Sequence, residues 1–230
     1  MAANLVNVVL TRETGKNDEL LAWLPPEATV SEVPLTTTRY FDPDDVLASL
    51  EGSLAIGKYR TLVVTSARSA AYVELALSMT APDVEVYCVG PTTSSAVVAR
   101  GLSVHGLGEG SALEFAPQIS RGPVLLLGAA LMRDELASAL RAKGLDVVNA
   151  ACYETVGLTL DTSDIETVRD ADVLFIGAPS AWALARQHVG NATWVVVPGT
   201  STGAVVRDDH ARVIEGWGPQ LRAQLETLSA

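Results

Sequence analysis

Along the chain, short continuous apolar runs alternate with stretches whose apolar residues recur every three or four positions, the pattern of strands alternating with helices. The first run, Leu5–Thr11, reads as a strand. The next stretch places Leu20, Leu21 and Leu24 on one helical face before Pro25-Pro26 ends it. Ala28–Val33 is strand-like and leads into Pro34-Leu35-Thr36-Thr37-Thr38, which proline and three β-branched threonines keep extended. Asp42-Pro43 has the form of an N-cap with proline at the first helical position, opening a helix through Leu47 and Leu50. Arg60–Ser66 reads as a buried parallel strand turning into an alanine-rich helix, and Val84–Val89 as another strand. The latter runs into Gly90-Pro91-Thr92-Thr93-Ser94 and a helix ending near Gly101. A strand over Leu102–Leu107 and a helix over Ala112–Ile119 complete this series.

From Gly122 the order starts again. Pro123–Leu127 reads as a strand, Met132, Leu136 and Leu140 mark a helix at four-residue spacing, and Gly144 stands where a C-terminal cap belongs. Val147-Val148 leads into an extended segment through Val156, followed by a helix at Thr162–Val168, a strand at Val173–Ile176 and a turn at Ala178-Pro179-Ser180. Trp194–Val197, Pro198-Gly199-Thr200-Ser201-Thr202, Arg212–Glu215 and a helix at Pro219–Leu228 close the chain.

The second series is a copy of the first. Asp18–Leu24 aligns with Asp134–Leu140 at an offset of 116, Ser69-Ala70 with Ser180-Ala181 at 111, and Gly90–Thr93 with Gly199–Thr202 at 109. So long a period excludes a solenoid and indicates one duplication of a strand–helix module. Alternation of this kind predicts parallel sheets covered by helices on both faces. The copies either fold one after the other, as 1–121 and 122–230, or exchange modules. In the exchanged form, Pro34–Thr38 and Ala151–Thr155 become two extended connectors able to pair with each other.

Composition narrows the functional classes. With 16 Lys and Arg against 27 Asp and Glu, the formal charge of −11 opposes binding to nucleic acid or to an anionic membrane. There is no leader-like start and no apolar run near the ~20 residues of a membrane span, so the expectation is a cytoplasmic protein. Cys88 and Cys152 lack the spacing of a zinc site and read as buried packing residues, and the dispersed His105, His188 and His210 offer no metal cluster. Asp208-Asp209-His210 reads as a solvated loop.

In parallel α/β sheets, ligands bind at the carboxyl ends of strands. Four strand-to-helix turns carry small hydroxyl residues there: Thr65-Ser66-Ala67-Arg68-Ser69, Gly90–Ser94, Ala178–Ser180 and Gly199–Thr202. Free backbone N–H groups and the helix dipole attract anions at such starts, although Ser and Thr also serve as ordinary caps. No P-loop or GxGxxG spacing appears, so carboxylates suit these turns better than nucleotides, with Arg12, Arg68 and Arg133 supplying charge. Tyr153, on the second connector, is the one candidate acid among few catalytic groups. Its residues alone serve equally well for a ring packed over the linker.

Val9-Leu10-Thr11-Arg12, Pro34-Leu35, Val64-Thr65-Ser66, Val89-Gly90 with Thr93, Gly128 with Arg133, Tyr153 before Val156, Phe175 with Pro179-Ser180, and Gly199 with Thr202 form an ordered pattern spanning nearly the whole chain. In this pattern the sequence resembles the uroporphyrinogen-III synthase family. The resemblance implies two similar parallel-sheet, flavodoxin-like α/β domains with the chain crossing between them. These are 1–34 plus 157–230, and 42–149, joined by linker strands 35–41 and 150–156, with the active site in the interdomain cleft. It implies a monomer that needs no cofactor and no metal, acting on hydroxymethylbilane, a linear tetrapyrrole with eight carboxylates. Ring closure loses water and inverts the last pyrrole through a spirocyclic intermediate. Tyr153 then stands where the family places a tyrosine assisting departure of the hydroxyl. Substrate carboxylates are expected at Thr11, Arg12, Thr65, Ser66, Arg68, Gly90, Thr93, Ser94, Arg133, Ser180, Ala181, Gly199, Thr200, Ser201 and Thr202. Two departures from the family pattern fall in the second copy, where Ile176-Gly177 replaces a Thr-Ser turn and Pro198 precedes Gly199. The rival readings are a non-catalytic two-domain module that binds or senses a small polyanion, and an enzyme acting on another polyanion such as a phosphorylated sugar.

Overall fold

The computed structural model describes residues 6–51, 59–108 and 115–228. Its strands are β1 (Asn7–Leu10), β2 (Thr29–Glu32), β3 (Thr36–Tyr40), β4 (Tyr59–Val64), β5 (Thr80–Cys88), β6 (Gly106–Leu107), β7 (Val124–Ala129), β8 (Val147–Gly157), β9 (Val173–Phe175), β10 (Trp194–Val197) and β11 (Val213–Glu215). The helices are α1 (Asp18–Leu21), α2 (Pro43–Glu51), α3 (Val73–Leu77), α4 (Pro91–Val98), α5 (Glu135–Ala142), α6 (Thr162–Arg169), α7 (Pro179–Ala185), α8 (Thr200–Arg207) and α9 (Pro219–Leu228). Contacts divide the chain into a first unit, Met1–Thr38 with Val156–Ala230, and a second unit, Arg39–Thr155.

The first unit orders its strands β11-β10-β9-β1-β2, and β1 pairs in parallel with both β2 and β9. The second sheet runs β3-β8-β7-β4-β5-β6, with β7 parallel to β8 and to β4. Each unit thus mixes the duplicated modules. The first takes β1 and β2 from the early copy and β9 to β11 from the late one, while the second takes β4 to β6 and β7 to β8 in the complementary way. Strands β3 and β8 lie side by side, and the Phe41 amide donates to the Cys152 carbonyl at 3.0 Å, so the two connectors do pair.

Both sheets are buried on both faces, as parallel sheets with crossover helices require. In the first unit Val9, Leu174, Val195 and Val197 fill one side while Val8, Leu10, Val173, Phe175 and Val196 fill the other. In the second, Leu62, Val64, Cys88, Leu125 and Leu127 face one way and Val63, Tyr87, Val124 and Leu126 the other. Both cysteines are buried and free, matching their reading as packing residues.

Local details depart from the sequence pattern for physical reasons. Helix α1 is a single turn, so Leu20 and Leu24 are buried while Leu21 is 43% exposed. The alanine-rich segment begins as a 3-10 helix, Ala67–Tyr72, before α3. Met132 precedes α5 rather than belonging to it, because the helix starts only after Asp134. The strand expected over Leu102–Leu107 shortens to Gly106–Leu107. Of the helix expected over Ala112–Ile119, residues 112–114 lie outside the described residues, and the rest forms a 3-10 turn, Ala116–Gln118. The solvated-loop reading of Asp208-Asp209-His210 holds for the two exposed aspartates but not for the histidine. His210 is buried with Nε2 2.8 Å from the Thr193 carbonyl oxygen, and Asp209 accepts the indole N–H of Trp182 at 2.8 Å. As the spacing predicts, Asp42 accepts the Asp44 amide ahead of α2, and Gly144 adopts φ 80° after α5, a conformation costly for residues with a Cβ.

Candidate active site

The register of β7 against β8 slips between Gly128 and Ala129, so Gly128 lies opposite Ala151 but Ala129 lies opposite Tyr153. Cys152 is the extra residue of this bulge. Strict alternation would send neighbouring side chains to opposite faces, yet Cys152 and Tyr153 are both buried in the same cluster. A bulge of this kind re-aims the next side chain, here Tyr153, toward the carboxyl ends of the strands.

A cavity of about 490 Å³ opens there, in the size range of small-molecule sites. Thr65 and Ser66 after β4, Met132 and Arg133 after β7, Glu135 at the start of α5, and Asn149 and Tyr153 on β8 line it. The Thr65 hydroxyl donates to the Leu127 carbonyl at 2.9 Å and lies 3.7 Å from the Met132 sulfur. A Cβ on Gly128 would collide with both Thr65 and Met132, so glycine is what lets the cavity floor close. Ser66 caps the 3-10 helix by accepting the Arg68 amide at 3.3 Å. Tyr153 is only 6% exposed. The Arg68 guanidinium carbon sits 5.7 Å from its ring centroid and the Tyr40 ring 6.2 Å away. Among the described residues its hydroxyl takes no hydrogen-bond partner, which leaves it available to a ligand in the cavity.

The neighbouring thiol is not a second reactive group. Burial pushes Cys152 up to about 11, only partly opposed by the Ser69 hydroxyl and the Gly128 backbone, and burial alone does the same to Cys88. Both stay protonated near neutrality, and a protonated thiol is a poor nucleophile.

The remaining expected residues distribute between the two sheets. In the second unit Gly90 precedes α4, accepts the Ser94 amide at 3.0 Å and has open space where a Cβ would stand, while Thr93 is buried. In the first unit Thr11 is buried and its hydroxyl donates to the Phe175 carbonyl, and the Arg12 guanidinium stacks 5.5 Å over Trp217. Ser180 is exposed and Ala181 buried in the first turn of α7. Gly199 precedes α8 with open space at its Cβ position, Thr200 and Ser201 are exposed, and Thr202 is buried. The structure therefore gathers Thr65, Ser66, Arg133 and Tyr153 around one cavity, with Arg68 against the tyrosine ring. Glu135, Asn149 and Met132 were missed in the sequence. Asn149 did leave a signal, as a polar residue inside Val147-Val148-Asn149-Ala150, whereas Glu135 looked like any acidic residue of a first helical turn. Among the described residues no group of three His, Cys, Asp or Glu suits a metal ion, and no helix is long and apolar enough to cross a membrane.

Two parallel α/β units that each interleave the duplicated modules, the second with a cavity lined by hydroxyls, Arg133 and a phenol, define an α/β enzyme class. A family model described as Uroporphyrinogen-III synthase HemD matches residues 27–214, and the chain belongs to that family. A mutant uroporphyrinogen III synthase from the extremely thermophilic bacterium Thermus thermophilus shares the fold with TM-score 0.62 and 15% identity, covering 97% of each chain. The uroporphyrinogen-III synthetase of Helicobacter pylori also has TM-score 0.62, at 14% identity, covering 98% of this chain and 100% of its own. No curated protein sequence matched.

Proposed function

We propose that the chain performs its family's reaction, closing hydroxymethylbilane to uroporphyrinogen III with loss of water and inversion of the last pyrrole, and that Tyr153 is the acid that starts it. The observation that carries the assignment to Tyr153 is its place on the wall of the 490 Å³ cavity, re-aimed by the β8 bulge. The phenol donates its proton to the terminal hydroxyl of the substrate, the C–O bond breaks, water leaves, and an azafulvenium-like cation remains. That cation closes through the spirocyclic route, a proton is lost to restore the phenol, and the macrocycle is complete. General acid assistance of this kind supplies roughly 10²-fold or more.

Arg133, on the same wall, is suited to a bidentate carboxylate contact, and Glu135 and Asn149 offer acceptors for pyrrole N–H groups. The open backbone at Gly90 and Gly199 admits further carboxylates to the helix starts of α4 and α8. In this reading the protein works as a monomer in the cytoplasm, which light scattering and fractionation check. The test of the reaction is incubation with freshly prepared hydroxymethylbilane and separation of the uroporphyrinogen isomers. Type III product is the expected result, and type I alone overturns the reading.

A further inference from the structure

A second cavity in the same unit, about 400 Å³, lies beyond the Tyr153 ring. It is walled by Tyr40, Arg68 and Arg100 and floored by alanines of the 3-10 helix and of α4. Its chemistry differs from that of the first. The first contains one arginine and one carboxylate, Arg133 and Glu135, whereas this one contains two guanidinium groups and no carboxylate, in a chain of net charge −11. Arg39, Arg60, Arg121, Arg141, Arg186 and Arg207 each hold a carboxylate of the protein. Arg100 holds none among the described residues. Tyr153, which lines the first cavity, stands against the second, since Arg68 and Tyr40, which wall the second, lie 5.7 Å and 6.2 Å from its ring centroid.

We infer that the Tyr40–Arg68–Arg100 pocket is a carboxylate subsite, holding an acidic side chain of the substrate so that the pyrrole bearing it is fixed relative to the Tyr153 hydroxyl. The inference rests on the proposed reaction and adds a residue, Arg100, that the sequence pattern does not mark. Small alanine side chains leave the pocket room for a carboxymethyl or carboxyethyl arm, and the guanidinium fork matches a carboxylate in two parallel hydrogen bonds. Arg100 binds the substrate at a distance from the bond that breaks. Its loss therefore weakens binding of substrate and transition state alike and raises KM with kcat nearly unchanged.

The experiment measures type III formation from hydroxymethylbilane by wild type, Arg100→Gln, Arg100→Lys and, as a charge control in the other unit, Arg169→Gln. Arg100 and Arg169 are exposed, so these variants keep their fold. Arg100→Gln is expected to raise KM about tenfold with kcat within about twofold, and to flatten the rise of KM with ionic strength. Arg100→Lys recovers part of the loss, since it keeps the charge without the fork. Arg169→Gln leaves KM unchanged. A wild-type KM in Arg100→Gln, or a fall in kcat without a change in KM, overturns the subsite while leaving the reaction in place. Type I product from the wild type overturns both together.

Discussion

The two units carry copies of one module, yet the carboxyl ends of their sheets have diverged. At an offset of 116, Arg12 of the first corresponds to Gly128 of the second. Arg12 spreads over Trp217 and packs close to Gly177, whereas Gly128 brings its backbone against Thr65 and Met132 beneath an open cavity. At an offset of 111, Ile176 and Gly177 stand where the second unit has Thr65 and Ser66. Leu35, fully buried in the first core, stands near the counterpart of Tyr153. One copy filled this space with stacked side chains and the other lined it with hydroxyls. Duplicated scaffolds free one copy to be emptied, because the other retains its own packed core.

This contrast can be broken most severely at the phenol. Tyr153→Phe keeps the ring against Arg68 and Tyr40 and removes only the hydroxyl. Type III formation should fall roughly 10²-fold, about 2.7 kcal/mol, with unchanged circular dichroism, and an unchanged rate would remove the acid role. Tyr153→Leu, which copies the first unit, should lose at least as much.

Next in size is Gly128→Ala, which moves the second unit toward the first by a single methyl. Overpacking against Thr65 and Met132 should cost about 1–3 kcal/mol in urea unfolding, and Met132→Ala in the same chain should return part of it. If the single variant unfolds at the wild-type midpoint, the floor is not as closely packed as described.

A third difference is that both thiols lie in the second unit. Their folded values of about 11 stand above the ordinary 9.0. Above pH 9 the unfolded chain releases protons that the folded unit keeps. The stabilisation is therefore full below about pH 9 and is lost as the pH rises through 11, by roughly 1.4 kcal/mol per unit for each thiol. Tryptophan fluorescence would not report this step, since Trp23, Trp182, Trp194 and Trp217 all belong to the first unit. Hydrogen exchange resolved by segment should find residues 59–108 loosening between pH 9 and 11, and Cys88→Ala with Cys152→Ala should reduce the pH dependence without abolishing it, because burial also raises Tyr59, Tyr72 and Tyr87 of the same unit. The smallest effect is expected from Trp217→Phe, which weakens the Arg12 stack while keeping a ring against Phe175, at about 0.5–1 kcal/mol of first-unit stability with type III formation within twofold of wild type.

How much of this was legible depended on what each residue encodes locally. The offsets at Asp18, Ser69 and Gly90 reveal a duplication and the alternation reveals parallel sheets, because periodicity and turn chemistry are local properties. The bulge at Cys152 was not legible, since both Cys152 and Tyr153 satisfy a strand pattern and only pairing with β7 counts the extra residue. Met132 fits a helical spacing but lies ahead of α5, with its sulfur 3.7 Å from the hydroxyl of Thr65, a residue 67 positions earlier. His210 looked solvated because the Thr193 carbonyl and the Trp182 ring that enclose it come from other elements. Arg100 resembled an ordinary basic residue at a helix end, and only the three-dimensional placement of Tyr40 and Arg68 gives it company.

The interleaving of the copies also sets a timetable during synthesis. The second unit is contiguous, Arg39–Thr155, and all its strands have been translated before β9 exists. The first unit has to wait. Its β1, central in the finished sheet with Val8 and Leu10 fully buried, has only β2 to pair with until the segment from Val156 onward emerges. At ~5–20 residues per second that interval is on the order of ten seconds, during which an apolar strand edge is open to the nascent chain's surroundings. A ribosome paused once Thr155 has left its exit tunnel should thus carry one native unit and one unfinished strand pair.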